Sequence, residues 1–422
     1  MTDGSTKRSL RVLVAGAGVA GQAVAFWLAR GGHRVTVAER FPALRASGAQ
    51  VDLRGQGIEA VDRMGLLNTV RGQLVDEAGV AFVDARGNRK ATIMANTSGK
   101  GRQTLTSEYE IMRGDLVRIL HDATKDDTAY VFGNGVDGFD QDEHHVTAHF
   151  SDGSSGRYDL LVAADGQGSR LRRALLPQGA DPYRRLGIHT AYWFVPRIAS
   201  DSDIRDTCMV PGGRQIMRRS HNATETQVYF VLREESAEAS AIHRAPVERQ
   251  QEFWADRFRD AGWQTERFVE GMRTSPFFHS QEIVQVRTDT WSEGRVVLAG
   301  DAAHCASPYS GMGISGGLVG AYVLAGEINR HADDLSTALA HYDRVLRPFV
   351  DEIQGEVNPR LLRVGMPMSQ YAISAFQSAT ALACFFRVPG LVARFSKEDR
   401  GGDWQLPAYS VPVAAPGARI GT

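Results

Sequence analysis

Cysteine is scarce in this chain. Its 422 residues include three, Cys208, Cys305 and Cys384, and these lie far apart in the sequence. Such a distribution fits neither a disulfide framework nor a cysteine-based metal motif. We therefore expect a cytoplasmic protein in a reducing environment, without a metal site.

Excess charge of one sign is also lacking. The 48 Lys and Arg residues nearly balance the 49 Asp and Glu residues, which leaves a net charge of −1. Electrostatics therefore gives no reason to expect nucleic acid or an anionic membrane as a partner. The apolar stretch of residues 12–29 is broken by glycines, and the start MTDGSTKRSL has no apolar signal core. We expect a monomer with no membrane partner.

Residues 11–40 contain a complete dinucleotide-binding pattern. A short apolar strand leads into Gly16, Gly18 and Gly21, in the spacing G-x-G-x-x-G, where the strand must become a helix. The first glycine allows the tight turn, the second lets a pyrophosphate approach the backbone, and the third lets the helix pack closely on the sheet. After the second strand, Glu39 can accept both hydroxyls of an adenosine ribose. The pattern predicts a dinucleotide site.

A second copy of the glycine spacing serves as a control. Gly133, Gly135 and Gly138 have the same spacing, but the residues that follow them alternate as a strand does. Without a helix at that point there is no helix N-terminus to bind a phosphate, so we discount this copy.

Three more segments contain candidate binding residues. Arg113 opens a predicted helix, where its charge opposes the helix dipole, and this suggests a phosphate or carboxylate partner. Asp165 follows an apolar strand and precedes a glycine. Further along, Asp301 also ends a buried strand, and a loop with Pro308 and several glycines leads to an uncapped helix start near residue 314. Such a start is an anion site that suits the N1–C2=O region of a reduced flavin.

The middle of the chain has a different texture. Residues 183–290 contain strands rich in aromatic and β-branched residues, which predicts a second domain that interrupts the first. We expect an α/β protein: a Rossmann-like FAD-binding domain interrupted by a β-sheet substrate domain, with C-terminal helices. The predicted boundaries are 10–78, 106–182 and 285–345 for the cofactor domain, 79–105 and 183–284 for the substrate domain, 346–396 for the C-terminal helices, and 397–422 for a flexible tail.

The three motifs together resemble the fingerprints of the single-component flavoprotein aromatic hydroxylases, the para-hydroxybenzoate hydroxylase family. The resemblance covers roughly residues 10–350 and rests on G-x-G-x-x-G with Glu39, on Asp165-Gly166, and on Gly300-Asp301 followed by Pro308. Within that family, the stretch ASGAQVDLRGQGIEAVDRMGLL most resembles the tetracycline-inactivating flavin monooxygenases.

The resemblance implies roles for individual residues. Glu39 would hold the adenosine ribose, Arg40 would lie near the adenine, and Arg113 would bind the diphosphate or ribityl region. Asp301 would bind the ribityl chain or the pyrophosphate, with Asp165 as a further cofactor contact.

The flavin ring and the substrate take a second set of residues by the same resemblance. Asp52, Pro308, Gly311 and Gly313 would lie by the isoalloxazine. Arg45 matches a position used for NADPH. Tyr192, Arg214 and Pro308 would contact the substrate. His304, inside the third motif, is interpreted as structural.

The implied activity is hydroxylation of an aromatic or polycyclic small molecule. NADPH or NADH, bound transiently, would reduce bound FAD, and O2 would then give a flavin C4a-hydroperoxide that transfers one oxygen atom. We assign no catalytic side chain, because such chemistry needs a dry, shaped cavity more than an acid–base pair. The alternatives are a reductase or dehydrogenase on the same fold, and a non-catalytic FAD- and ligand-binding protein. A halogenase is disfavoured because the W-x-W-x-I-P stretch is absent.

Overall fold

The structure, a computed structural model, describes residues 8–45, 48–75, 77–95, 109–386 and 404–410. In these residues the strands, in chain order, are β1 (Arg11–Ala15), β2 (Arg34–Glu39), β3 (Gln50–Asp52), β4 (Gly79–Val83), β5 (Arg89–Met94), β6 (Glu110–Met112), β7 (Ala129–Phe132), β8 (Val136–Gln141), β9 (Val146–Phe150), β10 (Ser155–Tyr158), β11 (Leu160–Ala163), β12 (Tyr183–Pro196), β13 (Ile204–Val210), β14 (Arg214–Ser220), β15 (Glu225–Arg233), β16 (Phe278–Val286), β17 (Ser292–Glu293) and β18 (Val296–Leu298). The helices are α1 (Val19–Arg30), α2 (Gln56–Arg63), α3 (Leu67–Arg71), α4 (Arg113–Asp122), α5 (Arg170–Leu175), α6 (Ala237–Ala241), α7 (Val247–Phe258), α8 (Thr265–Thr274), α9 (Asp301–His304), α10 (Gly313–Arg330), α11 (Leu335–Gly355), α12 (Pro359–Gly365) and α13 (Gln370–Phe385).

A six-stranded sheet forms the first domain, in the order β17-β18-β11-β1-β2-β7. All neighbours pair in parallel except β17, which runs antiparallel to β18. Because parallel strands end at the same edge, the turns after β1, β11 and β18 meet there. These are the turns that hold Gly16, Asp165 and Gly300.

Two buried helices, α1 and α10, pack on this sheet and on each other. Both are apolar nearly all round, as expected for helices enclosed by a sheet and by other helices. Small residues permit the close packing: a Cβ added at Gly317 would lie 3.4 Å from the Cβ of Ala20.

A seven-stranded sheet in the order β16-β12-β15-β14-β13-β4-β5 forms the second domain. Helices α7 and α8 cover one face, where Trp193, Phe230 and Trp254 belong to one buried cluster. The other face carries Tyr192, Tyr229 and nearby apolar side chains. Strands β4 and β5 come from the predicted segment 79–105, of which residues 96–105 lie outside the described ones. The predicted α/β fold class, with an inserted sheet and C-terminal helices, is confirmed.

Two local predictions need correction. The sequence of residues 128–160 predicts a strand hairpin, but β7 joins the parallel sheet while β8, β9 and β10 form a separate antiparallel sheet. The sequence of residues 336–365 also predicts one long amphipathic helix, but α11 ends at Gly355 and a new helix begins at Pro359, in a first turn where proline is favoured. Helix α11 packs along α10 and is continuous from Leu335 to Gly355. The domain boundary predicted at 345/346 therefore falls inside this helix.

The prediction of a flexible tail is wrong for residues 404–410. The Trp404 indole donates to the backbone carbonyl of Val345 at 3.2 Å, and its ring packs 5.0 Å from that of Phe349. Leu406 is buried, and the Tyr409 hydroxyl donates to Glu327 at 2.7 Å. The rest of the predicted tail lies outside the described residues. Across the part of the chain that is described, no helix is long and apolar enough to cross a membrane.

Candidate active site

The glycine turn after β1 has three distinct environments. Gly16 has a φ of +110°, and a Cβ added there would lie 2.6 Å from the carbonyl oxygen of Ala164. A Cβ at Gly21 would lie 2.0 Å from the carbonyl oxygen of Gly16. At Gly18 the nearest atom would be Nη2 of Arg113, at 3.6 Å. Gly16 and Gly21 are therefore required by packing, whereas Gly18 faces open space between the start of α1 and a cation.

Arg113 lies where the cofactor-domain turns meet. Its backbone N–H donates to the carbonyl of Ala49 at 3.0 Å, and Gly48 leaves room for its side chain, since a Cβ there would come within 3.1 Å of Cδ. Burial raises the pKa of Asp301, and the nearby charge of Arg113 opposes that rise. Arg113 thus links the first and third motifs across one cleft.

Glu39 is tied to the glycine turn. Its carboxylate accepts the backbone N–H of Ala17 at 2.9 Å and that of Phe41 at 3.1 Å, and the residue is buried. The Phe41 ring lies beneath two guanidinium groups, those of Arg40 at 5.0 Å and Arg45 at 4.9 Å. Phe41, which contacts both arginines, could not be recognised as a site residue from the sequence.

Arg45 also faces the cleft. Burial lowers its pKa, and the like charge of Arg113 lowers it further. Two arginines this close create a positive potential that would favour phosphate groups.

The Asp165 turn rests on a buried arginine that sequence reasoning missed. One carboxylate oxygen of Asp165 accepts the backbone N–H of Arg170 at 2.9 Å, and the other is buried with no hydrogen-bond partner among the described residues. Arg172 is fully buried and donates to the carbonyls of Gln167 and Ala302 at 2.6 and 2.9 Å. Arg172 therefore holds the second motif against the third.

The loop between β18 and α10 is built to present backbone. Ser307 has a φ of +78°, a strained value for a residue with a side chain, and Gly311 has a φ of +66°. Helix α10 then begins with no side-chain cap at Met312, so its first N–H groups point into the loop. Asp301 lies deep in the protein, where surrounding atoms raise its pKa, but its side chain is exposed on the cleft side. An uncapped helix start beside such a loop favours an anion or oxyanion.

A strap of residues 52–57 lies against this loop. Asp52 and Arg54 form an ion pair of 3.0 Å. The backbone N–H of Arg54 donates to the Ser315 hydroxyl at 2.9 Å, and a Cβ added at Gly311 would lie 3.3 Å from Nε of Arg54. The Asp52–Arg54 pair therefore lies beside the loop.

One face of the second sheet presents an aromatic wall towards the cleft. We define this aromatic wall as Tyr192, Tyr229, Phe277 and His279. The Tyr192 ring lies 5.3–5.4 Å from each of the other three rings. Burial raises the pKa of Tyr192, while the charges of Arg113 and Arg45 oppose the rise. The wall therefore adjoins the arginines of the cofactor domain.

The comparisons with known proteins decide the family. Residues 9–353 match the family described as FAD binding domain. The chain belongs to the FAD-binding-domain family. It is 36% identical over 420 residues to the FAD-dependent monooxygenase asL6 of Sarocladium schorii, covering 95% of this chain and 98% of that one. It is 37% identical to the flavin-dependent monooxygenase eupH of Phoma sp, with coverages of 89% and 92%.

A solved structure supports the same assignment. The crystal structure of tetracycline destructase Tet(51) superimposes with a TM-score of 0.76 and 29% identity, over 95% of this chain and 99% of that one. The resemblance to flavin monooxygenases, the FAD cofactor and the enzyme class are thereby confirmed. The protein is an FAD-dependent monooxygenase that acts on a small molecule with O2.

The monooxygenase does not bring Arg214 to the cleft. On β14, Met217 pairs with Tyr229 across the strands and shares its face of the sheet. Arg214 is three residues from Met217, so its side chain lies on the opposite face. The Arg214 guanidinium instead pairs with both carboxylate oxygens of Asp260, at 2.6 and 3.1 Å. The geometry therefore gives no support to the predicted substrate contact of Arg214, which lies on the helix-covered face.

A buried ion cluster underlies the strap of the monooxygenase. Glu110, opposite Asp52 in the β3–β6 pair, receives a hydrogen bond from Arg219 at 2.9 Å, and Glu77 pairs with the same guanidinium at 2.7 Å. Burial raises the pKa of Glu110 to about 7; Arg219 opposes the rise, and the carboxylate of Glu77 adds to it. This cluster joins the two-stranded β3–β6 sheet to the seven-stranded sheet and was not predicted.

His304 sits in the core and not in the cleft. It is buried against the Trp291 ring, 5.2 Å away, and burial lowers its pKa to about 4. A neutral, enclosed imidazole fits the structural interpretation made from the sequence.

Proposed function

We propose that this monooxygenase hydroxylates a flat aromatic or polycyclic molecule that lies on the aromatic wall. The observation that carries the proposal is the position of Tyr192. The Tyr192 ring stacks with the Tyr229 ring, and Tyr192 also interacts electrostatically with Arg45 and Arg113. The aromatic wall is therefore adjacent to the cofactor cleft. The similarity to a tetracycline destructase favours a polycyclic substrate.

The cofactor contacts follow from the fit of the residues to FAD. Gly18 leaves the space that a diphosphate needs, and Arg113 supplies the opposing charge. We assign the adenosine ribose to Glu39, the neighbourhood of the adenine to Arg40, and a further cofactor contact to Asp165. When bound, FAD supplies both the electron transfer and the oxygen transfer.

The ring end of the cofactor would lie by the loop before α10. Pro308, Gly311 and Gly313 present backbone there, and the uncapped helix start can stabilise negative charge on the ring. Asp301 would accept hydroxyl hydrogen bonds from the ribityl chain. Asp52, fixed by Arg54, would stand at the ring edge.

The second sheet would exclude water from the reaction. The wall is half-buried to buried and continues into apolar side chains, among them Ile188, Val231 and Met366. Such a dry surface suits oxygen transfer, because water promotes competing breakdown of reactive species. No acid–base side chain is needed in this scheme.

The reductant would be NADPH, bound transiently near Arg45. Two arginines and the Phe41 ring offer charge and a stacking surface at the cleft mouth. Cytoplasmic location and a monomeric state remain predictions.

A substrate screen tests the proposal. Candidate polycyclic phenols and single-ring phenols are compared for their stimulation of NADPH oxidation, with mass spectrometry for a 16 Da gain. We expect stimulation and hydroxylation with a polycyclic phenol. If single-ring phenols alone give hydroxylated product, the assignment of the wall to a polycyclic ligand is wrong.

A further inference from the structure

A cluster of potential metal ligands lies far from the cofactor cleft. Glu327 and His331 stand one helical turn apart at the end of α10, and His341 faces them from α11. We call these three residues the Glu327 cluster. Glu327 is 14 positions after Gly313, so the cluster lies about 21 Å along the helix from the end that faces the cleft. Nothing in the flavin chemistry uses it.

Glu327 is buried, and one of its two carboxylate oxygens has no hydrogen-bond partner among the described residues. The side chain is 1% exposed. One carboxylate oxygen accepts the Tyr409 hydroxyl at 2.7 Å and Nη1 of Arg330 at 3.3 Å. The other oxygen, and Nε2 of His331, are buried with no hydrogen-bond partner among the described residues. Arg330 compensates the charge at the first oxygen, but buried polar atoms without partners, such as the second oxygen and Nε2 of His331, are rare in proteins.

The spacing of these two atoms and of Nδ1 of His341 suits a single small cation. The Oε2 atom of Glu327 lies 3.6 Å from Nε2 of His331 and 3.5 Å from Nδ1 of His341. These distances are long for hydrogen bonds. They are close to the edge of a tetrahedral zinc site, where bonds of about 2.1 Å place neighbouring ligand atoms roughly 3.4 Å apart. All three ligand atoms lie within 4.8 Å of one another.

We propose that Glu327, His331 and His341 bind a zinc ion, with water at the fourth position. Two neutral imidazoles and one carboxylate are a frequent zinc donor set, whereas calcium and magnesium prefer oxygen donors alone. Both histidines keep about a quarter of their side chains exposed, 26% and 29%, so the cluster lies near the protein surface. The Arg344 guanidinium that now contacts Nε2 of His341 at 2.8 Å belongs to an exposed residue and can turn to solvent when Nδ1 binds the metal.

The ion would act as a clip between helices. It joins the end of α10 to α11 across residues 331–334. Tyr409 then becomes an outer hydrogen-bond donor to a metal ligand, a type of contact that orients ligands and strengthens metal affinity. Zinc would thereby couple the docked segment 404–410 to the helical core.

Zinc binding to the FAD-loaded protein tests the proposal. The protein is freed of metal with a chelator and titrated with Zn²⁺ against a chromogenic competitor. We expect each chain to bind one zinc ion tightly. His331→Ala and His341→Ala should each weaken this binding at least a hundredfold, because each removes a direct ligand. Zinc should also raise the melting temperature of the wild-type protein and not that of either variant.

A matched control is the double variant His144→Ala/His145→Ala. These two histidines lie at an exposed turn between β8 and β9, so their loss should leave the tight binding of zinc unchanged. Absence of tight zinc binding in the wild-type protein would overturn the proposal. Tight binding of one zinc ion by both His331→Ala and His341→Ala would also overturn it, because the ion would then bind elsewhere. The flavin content of each variant reports folding independently of zinc.

Discussion

Gly18→Val separates cofactor binding from folding. The backbone of Gly18 is extended, with φ −76° and ψ −176°, a conformation that any residue adopts. A Cβ there meets only Nη2 of Arg113 at 3.6 Å, so the folded chain without FAD should tolerate the valine. The added methyl groups would instead occupy the space of the diphosphate.

The expected loss is large. A diphosphate pushed away from the start of α1 would lose about two charge-assisted hydrogen bonds, each contributing roughly 1.5–3 kcal/mol. A total of roughly 3–6 kcal/mol corresponds to a weakening of about 10²- to 10⁴-fold in the dissociation constant of FAD. The variant should therefore be purified nearly colourless and should bind added FAD weakly in a fluorescence titration.

Gly21→Ala is the contrasting control. Its Cβ would lie 2.0 Å from the carbonyl oxygen of Gly16, so this change should damage the packing of α1 and lower the melting temperature. Gly18→Val should keep the circular dichroism spectrum of the FAD-free wild-type protein. Purification of a yellow Gly18→Val protein with FAD affinity within tenfold of wild type would refute the placement of the diphosphate.

Three further changes probe other parts of the molecule. In Arg45→Ala, stopped-flow reduction by NADPH should slow at least tenfold while FAD stays bound; unchanged kinetics would exclude Arg45 from the reductant site. Tyr192→Ala should raise the KM for substrate, whereas Arg214→Ala should lower the melting temperature with little effect on KM, since its partner is Asp260; the opposite pattern would restore the substrate role of Arg214. Burial lowers the pKa of His304 to about 4, so the unfolded chain takes up this proton first, and about 3 kcal/mol of stability should be lost as pH falls from 6.5 to 4. Urea unfolding of His304→Asn should show a smaller loss over that range, and an equal loss would contradict the buried, neutral state.

The motifs were predictable because their physical demands are local. Only glycine suits the positive φ at Gly16 and the close approach at Gly21, so both requirements can be recognised in the sequence. The same holds for Asp165 and Asp301, which follow buried strands at one edge of a parallel sheet. Edge geometry then brings these residues together without any further information.

Arg214 could not be placed from sequence because side chains on a strand alternate between faces. A register error of one residue moves a side chain from the cleft to the helix-covered face. The prediction of a flexible tail was wrong at residues 404–410 for another reason. Residues 404–410 are surrounded by Gly, Pro and Ala, and the average composition concealed the contacts of Trp404 and Tyr409. Neither error could be corrected without the long-range contacts that folding creates.

In the proposed reaction, one oxygen atom of O2 is inserted into the substrate. Turnover under ¹⁸O2 with the best substrate from the screen tests it most directly, with product mass and hydrogen peroxide measured together. We expect a gain of 18 Da in the product and nearly one product molecule formed per NADPH oxidised. An unlabelled product, or NADPH oxidation that ends entirely in hydrogen peroxide, would contradict it.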